Sequence, residues 1–247
     1  MSEFILSQTC LKDYEDGCPR KWYGRWIEKS IPFYQNEKMK KGSYFEYLCL
    51  GGGAMEEDIT DLPRKRNGEK TADHLRIEKQ AEWFKEELFN PESELYFGEG
   101  IQATQEVIWN KAGDERGVLD IRFSNSHIGD LKLTSNVNET RHKYHWGHDE
   151  NIDTTQADFY SSIEHEKTGI IPVFTYLVFD YSTRMGVKSF AVQTTPDSID
   201  ELEERKSIVK DAVKTRKKWG EIPSKMACSS CPLKCSSRIS EFKYNEG

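Results

Sequence analysis

Gly117-Val-Leu-Asp120-Ile-Arg-Phe123, then Ser124-Asn-Ser126, then His127-Ile-Gly-Asp130-Leu-Lys132-Leu-Thr134 decides how the rest of the chain is read. Two short runs rich in β-branched and aliphatic residues flank a turn of small polar residues, which is the pattern of a β-hairpin. Side chains alternate along a strand, so Asp130 and Lys132 share one face while Leu131 and Leu133 point to the other, toward a core. If the runs 116–123 and 127–134 are adjacent strands, Asp120 and Asp130 come close across the hairpin. Two carboxylates held together repel, and each has its pKa raised. A divalent cation with a taste for hard oxygen ligands removes that conflict. The lysine can then orient a water or stabilise charge on a phosphate. The competing explanation of Asp-x-Lys is a surface hairpin carrying an ordinary ion pair.

Working outward, residues 101–109 form a third strand before the hairpin, with a turn at 111–114. Residues 153–167 return to helical spacing. The run 170–181, IIPVFTYLVFDY, is nearly all apolar and reads as a central buried strand. Residues 186–194 form another strand and 197–219 a long charged helix. Upstream, 7–30 reads as a short loop and then a helix rich in Trp, Tyr and Arg, 41–50 as a helix ended by Gly51 to Gly53, and 54–70 as a loop. Thr71 caps a helix running to Phe89, with Leu75, Ile77, Ala81, Trp83, Phe84 and Leu88 on its apolar side and Asn90 and Pro91 as its stop. The expected fold is α/β: a mixed central sheet flanked by helices, in one domain over residues 1–247. Within it we read a helical segment 1–100, a core 101–196 and a C-terminal helix and cysteine-rich segment 197–247.

The 247 residues suffice for a substantial core, and no apolar run approaches the roughly 20 residues that span a bilayer. The N-terminus lacks the features of a secretory signal, so the expectation is a cytosolic protein with no membrane partner. A net charge of −7 argues mildly against a nucleic-acid partner without excluding one. Basic residues gather at 20–29, 38–41, 64–66 and 206–218, and each run singly reads as a solvated face. In a reducing compartment the six cysteines, at 10, 18, 49, 228, 231 and 235, are better read as thiols or metal ligands than as disulfides. Cys228-Ser-Ser-Cys231-Pro-Leu-Lys-Cys235 can wrap one metal centre, with Cys18 as the fourth ligand and Cys10 as runner-up. A four-thiolate site takes zinc or [4Fe-4S]. Cys49, between Leu48 and Leu50, reads as a packing residue.

Three other features bear on function. His142, His145 and His148 have a ligand-like spacing, yet Gly147 and the polar surroundings favour a loop that contacts phosphate or solvent. Gly51-Gly52-Gly53 has no following Lys-Ser/Thr and is no phosphate-binding loop. Trp22, Tyr23 and Trp26 alternate with Arg20, Lys21 and Arg25, which suits either stacking on single-stranded bases or a packed aromatic helix face.

Two more segments join the hairpin: Gly42-Ser-Tyr-Phe-Glu46 before it, and Gln156-Ala-Asp-Phe-Tyr160 after it, with Gln and Tyr on one helix face. In this order the four segments resemble the RecB-type branch of the PD-(D/E)XK nucleases: a Gly-x-x-x-Glu/His helix, a Gly-x-x-Asp strand, an Asp/Glu-x-Lys strand and a Gln-x-x-x-Tyr helix. The resemblance implies a restriction-endonuclease-like core that hydrolyses DNA with Mg²⁺ or Mn²⁺. Asp120 and Asp130 would be metal ligands, Glu46 a ligand or partner of a metal-bound water, and Lys132 the catalytic lysine. Gln156 and Tyr160 would position DNA or the other site residues. Glu at position 46, where many relatives carry His, resembles phage-type exonucleases, which implies action at duplex ends or on single strands in a bacterial or phage-infected cytosol. Members of this branch with an iron–sulfur centre, including AddB-type and CRISPR-associated nucleases, place one cysteine before the core and three after it. That implies [4Fe-4S] on Cys18, Cys228, Cys231 and Cys235, structural Zn²⁺ being the alternative, and partners such as a second copy or a recombination or CRISPR-type complex. The runner-up function is a DNA-end-binding or assembly subunit with a degenerate site. A zinc-ribbon interaction protein is the third.

Overall fold

The computed structural model describes residues 4–51, 62–88, 90, 92–93, 100–183 and 186–215. Gly52 and Gly53, residues 54–61 of the 54–70 loop, the last residues of the 197–219 helix, and Cys228, Cys231 and Cys235 lie outside them. The chain divides into two compact units, one of residues 35–202 and one of residues 1–34 with 203–247.

The larger unit is built on five strands, β1 (Ala103–Trp109), β2 (Arg116–Ser124), β3 (His127–Thr134), β4 (Val173–Asp180) and β5 (Val187–Gln193). They lie in the order β1-β2-β3-β4-β5. The pairs are antiparallel except β3 with β4, which run parallel, so the sheet is mixed, as expected. The parallel pair needs a crossover, and α5 (Thr155–Thr168) supplies it. Every residue of β4 after Val173 is buried, in keeping with its apolar run; β3, however, is the central strand.

One face of the sheet closes against α3 (Glu37–Leu50) and α4 (Ala72–Leu88). Phe45, Ile77, Ala81 and Phe84 from these helices pack with Ile121, Phe123, Leu131, Leu177 and Phe179 from the strands. Phe179 is fully buried, its ring 4.9 Å from Phe45 and 5.6 Å from Phe84. Helix α3 starts at Glu37, earlier than the apolar spacing suggests, because Asn36 accepts the Met39 N–H and caps it. Thr71 caps α4 in the same way, through the His74 N–H. Cys49 packs against this core, where burial raises its thiol pKa. Lys41 is not solvated: it pairs with Asp73 and Glu37.

In the smaller unit the expected single helix is two, α1 (Gln8–Asp16) and α2 (Pro19–Trp26). Trp22 is 1% exposed, with Phe4 and Tyr14 edge-on to it and its indole N–H donated to the Cys10 carbonyl. Trp26 and Arg25 both donate to Asp13. The aromatic run is therefore a packed helix face at Trp22, and Trp26 and Arg25 are engaged within the unit. The charged helix α6 is described over Pro196–Thr215. Lys206, expected on a solvated face, is buried, with its ammonium 2.7 Å from Glu203.

Candidate active site

The site forms where the sheet forks. Strand β2 pairs with β1 from Arg122 down to Arg116, and β3 pairs with β4 along its whole length. Between β2 and β3, pairing stops at Ile121↔Gly129. The two strands part there, so that Asp120 on β2 and Asp130 on β3 are the first residues beyond the last pair. The fork leaves the Leu131 N–H without a strand partner on the β2 side. Asp120 Oδ2 accepts it at 2.8 Å, which answers the backbone donor and fixes the carboxylate. Gly129 is required by a close approach: a Cβ there would lie 2.8 Å from the Phe123 ring.

Asp130 is 2% exposed and held from two sides. Lys132 Nζ lies 2.5 Å from Oδ2, a close ion pair. The amide of Gln156 donates to Oδ1 at 2.5 Å. Tyr160, one turn along α5, packs its ring on the backbone of Gly117, where a Cβ would stand 2.7 Å from it. The Gly-x-x-Asp glycine is thus a seat for the Gln-x-x-x-Tyr tyrosine. Burial, reinforced by the charge of Asp130, pushes the Tyr160 phenol up to about 12. Gly42 is different: no described residue lies within 4 Å of where its Cβ would be, so packing does not demand a glycine.

Glu46 reaches the same place from α3. Burial raises its pKa, and the negative charge of Asp130 adds to the rise. Hydrogen bonds from Gln105 and with Asp120, and the charge of Lys132, oppose it. Asp120 is raised well above the usual carboxylate range, by burial first and then by Asp130 and Glu46. Burial alone would lower the Lys132 pKa, but Asp130 and Asp120 outweigh it and hold the ammonium charged. Three carboxylates against one ammonium leave two uncompensated negative charges when all are ionised, a costly arrangement for buried groups. An all-oxygen donor set with excess negative charge fits a hard divalent cation. As placed, no three His, Cys, Asp or Glu side chains among the described residues form a ready ligand cage. Lys132 and Gln156 hold Asp130, and Gln105 holds Glu46.

No sequence pattern marks Gln105. It is an ordinary polar residue in a strand, and only its backbone and its partner mark it. Arg122 was also missed, although it lies two residues from Asp120. It is buried and ion-paired to Glu164 of α5 and Glu106 of β1, tying three elements together beside the fork.

The three histidines lie in the connection between β3 and α5, as expected of a loop. His145 and His148 stack edge-on at 5.7 Å, and no metal-holding group forms there among the described residues. Trp146 braces the loop on Tyr176 and Phe190, and Lys188 donates to its carbonyl. Tyr176 lies under the Lys132 ammonium, so the loop is anchored next to the site. In the smaller unit Cys18 stands at the N-terminal boundary of α2 and is 7% exposed. Cys10 is fully buried, and burial pushes its thiol up to about 12, as befits a packing residue.

No family model and no curated protein sequence matches the chain. Among solved structures it is similar to one named "Putative exonuclease" from Eubacterium rectale, with a TM-score of 0.65 and 18% sequence identity, covering 98% of this chain and 91% of that one. At that identity the likeness establishes the fold: an α/β chain with a mixed five-stranded sheet flanked by helices. No helix among the described residues is long and apolar enough to cross a membrane.

Proposed function

We propose that this chain is a metal-dependent DNA nuclease, acting as an exonuclease on ends or single strands. The observation that carries the reading is the meeting of Glu46, Asp120, Asp130, Lys132 and Gln156 at one fork in the sheet. The name of the structurally similar protein agrees with it. Asp120 and Asp130, with Glu46, would hold Mg²⁺ or Mn²⁺. When bound, such a cation lowers the pKa of a water nucleophile and offsets charge on the phosphate. Lys132 is the one cation of this set and stands one-third exposed, able to face a phosphate oxygen and stabilise charge as it develops. Gln156 orients Asp130 through its amide, and Tyr160 fixes α5 against β2 so that this amide stays in reach.

The test is digestion of end-labelled single- and double-stranded DNA with Mg²⁺, Mn²⁺, Ca²⁺ or EDTA. Progressive shortening with Mg²⁺ or Mn²⁺, little with Ca²⁺ and none in EDTA is expected, because Ca²⁺ favours more ligands and looser geometry. Undiminished cleavage in excess EDTA refutes the reading. Tight binding of DNA ends with no cleavage in any metal turns it toward a non-cleaving end-binding subunit.

The same reading includes a [4Fe-4S] cluster on Cys18, Cys228, Cys231 and Cys235 that staples the chain ends, so that metal binding contributes folding free energy. Anaerobic protein should contain iron and sulfide in cubane ratio, lost in Cys18→Ser and kept in Cys49→Ser. One tightly held zinc instead would leave the four-thiolate site and remove the cluster.

A further inference from the structure

Gln105 is the unusual residue of β1. Its φ is +53°, and Lys29 is the other non-glycine with positive φ among the described residues. A left-handed backbone is unfavourable for a residue with a Cβ, and it persists where the surroundings hold it. The register pairs Thr104 with Ile121 and Glu106 with Leu119, so Gln105 stands across from Asp120. At the same level the strand alternation changes phase. Gly117 abuts Tyr160 of α5, whereas Ile121 packs in the core against α3 and α4. An unbroken strand turns residues four apart to one face. The irregular backbone aims the Gln105 amide at α3, where Nε2 donates to Glu46 Oε1 at 2.6 Å.

We propose that Gln105 is a positioning residue: its left-handed backbone delivers one amide N–H to Glu46, setting the rotation of that carboxylate so that it faces Asp120, with which it would share a divalent cation together with Asp130. This rests on the reading of Glu46 as a cation-holding residue. The choice of an amide is chemically apt. A lysine or arginine in its place would neutralise the charge that the cation needs, and a hydrocarbon would leave the carboxylate free to turn. The strain at residue 105 is local to this bond, because the neighbouring pairs of β1 with β2 keep a regular register.

The test uses the full-length protein and the variants Gln105→Asn and Gln105→Leu. Asparagine accepts the left-handed backbone but is one methylene too short. Leucine keeps the bulk and loses the donor. Mn²⁺ affinity, measured by titration calorimetry, should fall about tenfold or more in both variants, the usual consequence of removing a partner that orients a metal ligand. The Mn²⁺ concentration for half-maximal cleavage should rise by the same factor, while KM for DNA at saturating Mn²⁺ stays close to wild type. The Tm in EDTA should hold or rise in Gln105→Asn, because the strain is eased. Folded variants that bind Mn²⁺ as tightly as wild type overturn the proposal, as does wild-type protein that binds no Mn²⁺. Wild-type protein that binds Mn²⁺ without cutting DNA overturns the nuclease reading, and the affinity comparison then decides on Gln105 by itself.

Discussion

The two faces of the sheet are both covered by helices and both bury apolar side chains, but one of them also buries ion pairs and amides. Against α3 and α4, Ile121, Phe123, Leu131, Leu177 and Phe179 meet apolar side chains and nothing else is needed to hold them. Against α5, the same strands present Arg122 and Asp130, met by Glu164 and Gln156. Neighbours in β3 divide between them: Leu131 belongs to the core, Asp130 and Lys132 to the site. Burial of the first kind stabilises the fold by roughly 25 cal/mol per Å² of apolar surface. Burial of the second kind costs free energy unless every charge is matched, and at the fork the carboxylates outnumber the ammonium. The comparison teaches that apolar packing around the sheet provides the stability that lets the fork hold crowded charges ready.

Substitutions on the two faces should therefore part stability from activity. Lys132→Ala should lower DNA cleavage by about three orders of magnitude, near 4 kcal/mol of barrier, while the Tm in EDTA moves little. Digestion assays and melting curves on the same preparation check this, and retained activity would remove Lys132 from the mechanism. On the other face, Phe179→Ala should cost about 3–5 kcal/mol in urea unfolding, with cleavage per folded molecule kept at low temperature. Equal losses of activity from both variants would mean that the two faces cannot be separated.

Asp120→Asn sharpens the contrast, because one change should act in opposite directions. The Asp120 pKa is raised in the folded chain, so this group favours folding when protonated, and that contribution is lost as pH rises through the raised value. A neutral Asn, still able to accept the Leu131 N–H, should stabilise the metal-free protein at neutral pH by on the order of 1 kcal/mol while cleavage falls. A lower Tm in EDTA would show that the Asp120 charge is better compensated than its neighbours imply.

The smallest effect belongs to His127, beside Phe123 and bonded to Thr175. Burial lowers its pKa, so the stability it allows is present above the unfolded imidazole value and lost as pH falls through the lower folded one. His127→Gln should make the decline of Tm between neutral and mildly acid pH slightly shallower. An identical pH profile would assign that decline to other groups.

Much of this was legible in local sequence. The strands 116–123 and 127–134 are found within a residue of those limits, since alternation and turn residues act over a few positions. The helix starts were harder. Asn36 and the break between Asp16 and Pro19 are set by single caps and turns that apolar spacing does not register. The site shows the same division. Periodicity by itself determined that Asp130 and Lys132 share a face opposite Leu131, because the side-chain direction of a strand residue depends on its immediate neighbours. Motif order already joins Glu46 and Gln156 to the hairpin, but the parting of β2 from β3, the left-handed turn at Gln105 and the geometry with which Glu46 and Gln156 reach Asp120 and Asp130 were decided by tertiary structure. Residues 46, 105, 120, 130 and 156 lie on five different elements, and their meeting depends on which strands pair, where the pairing stops and which helix covers each face. Those are energies of long-range packing, and no local pattern of residues encodes them.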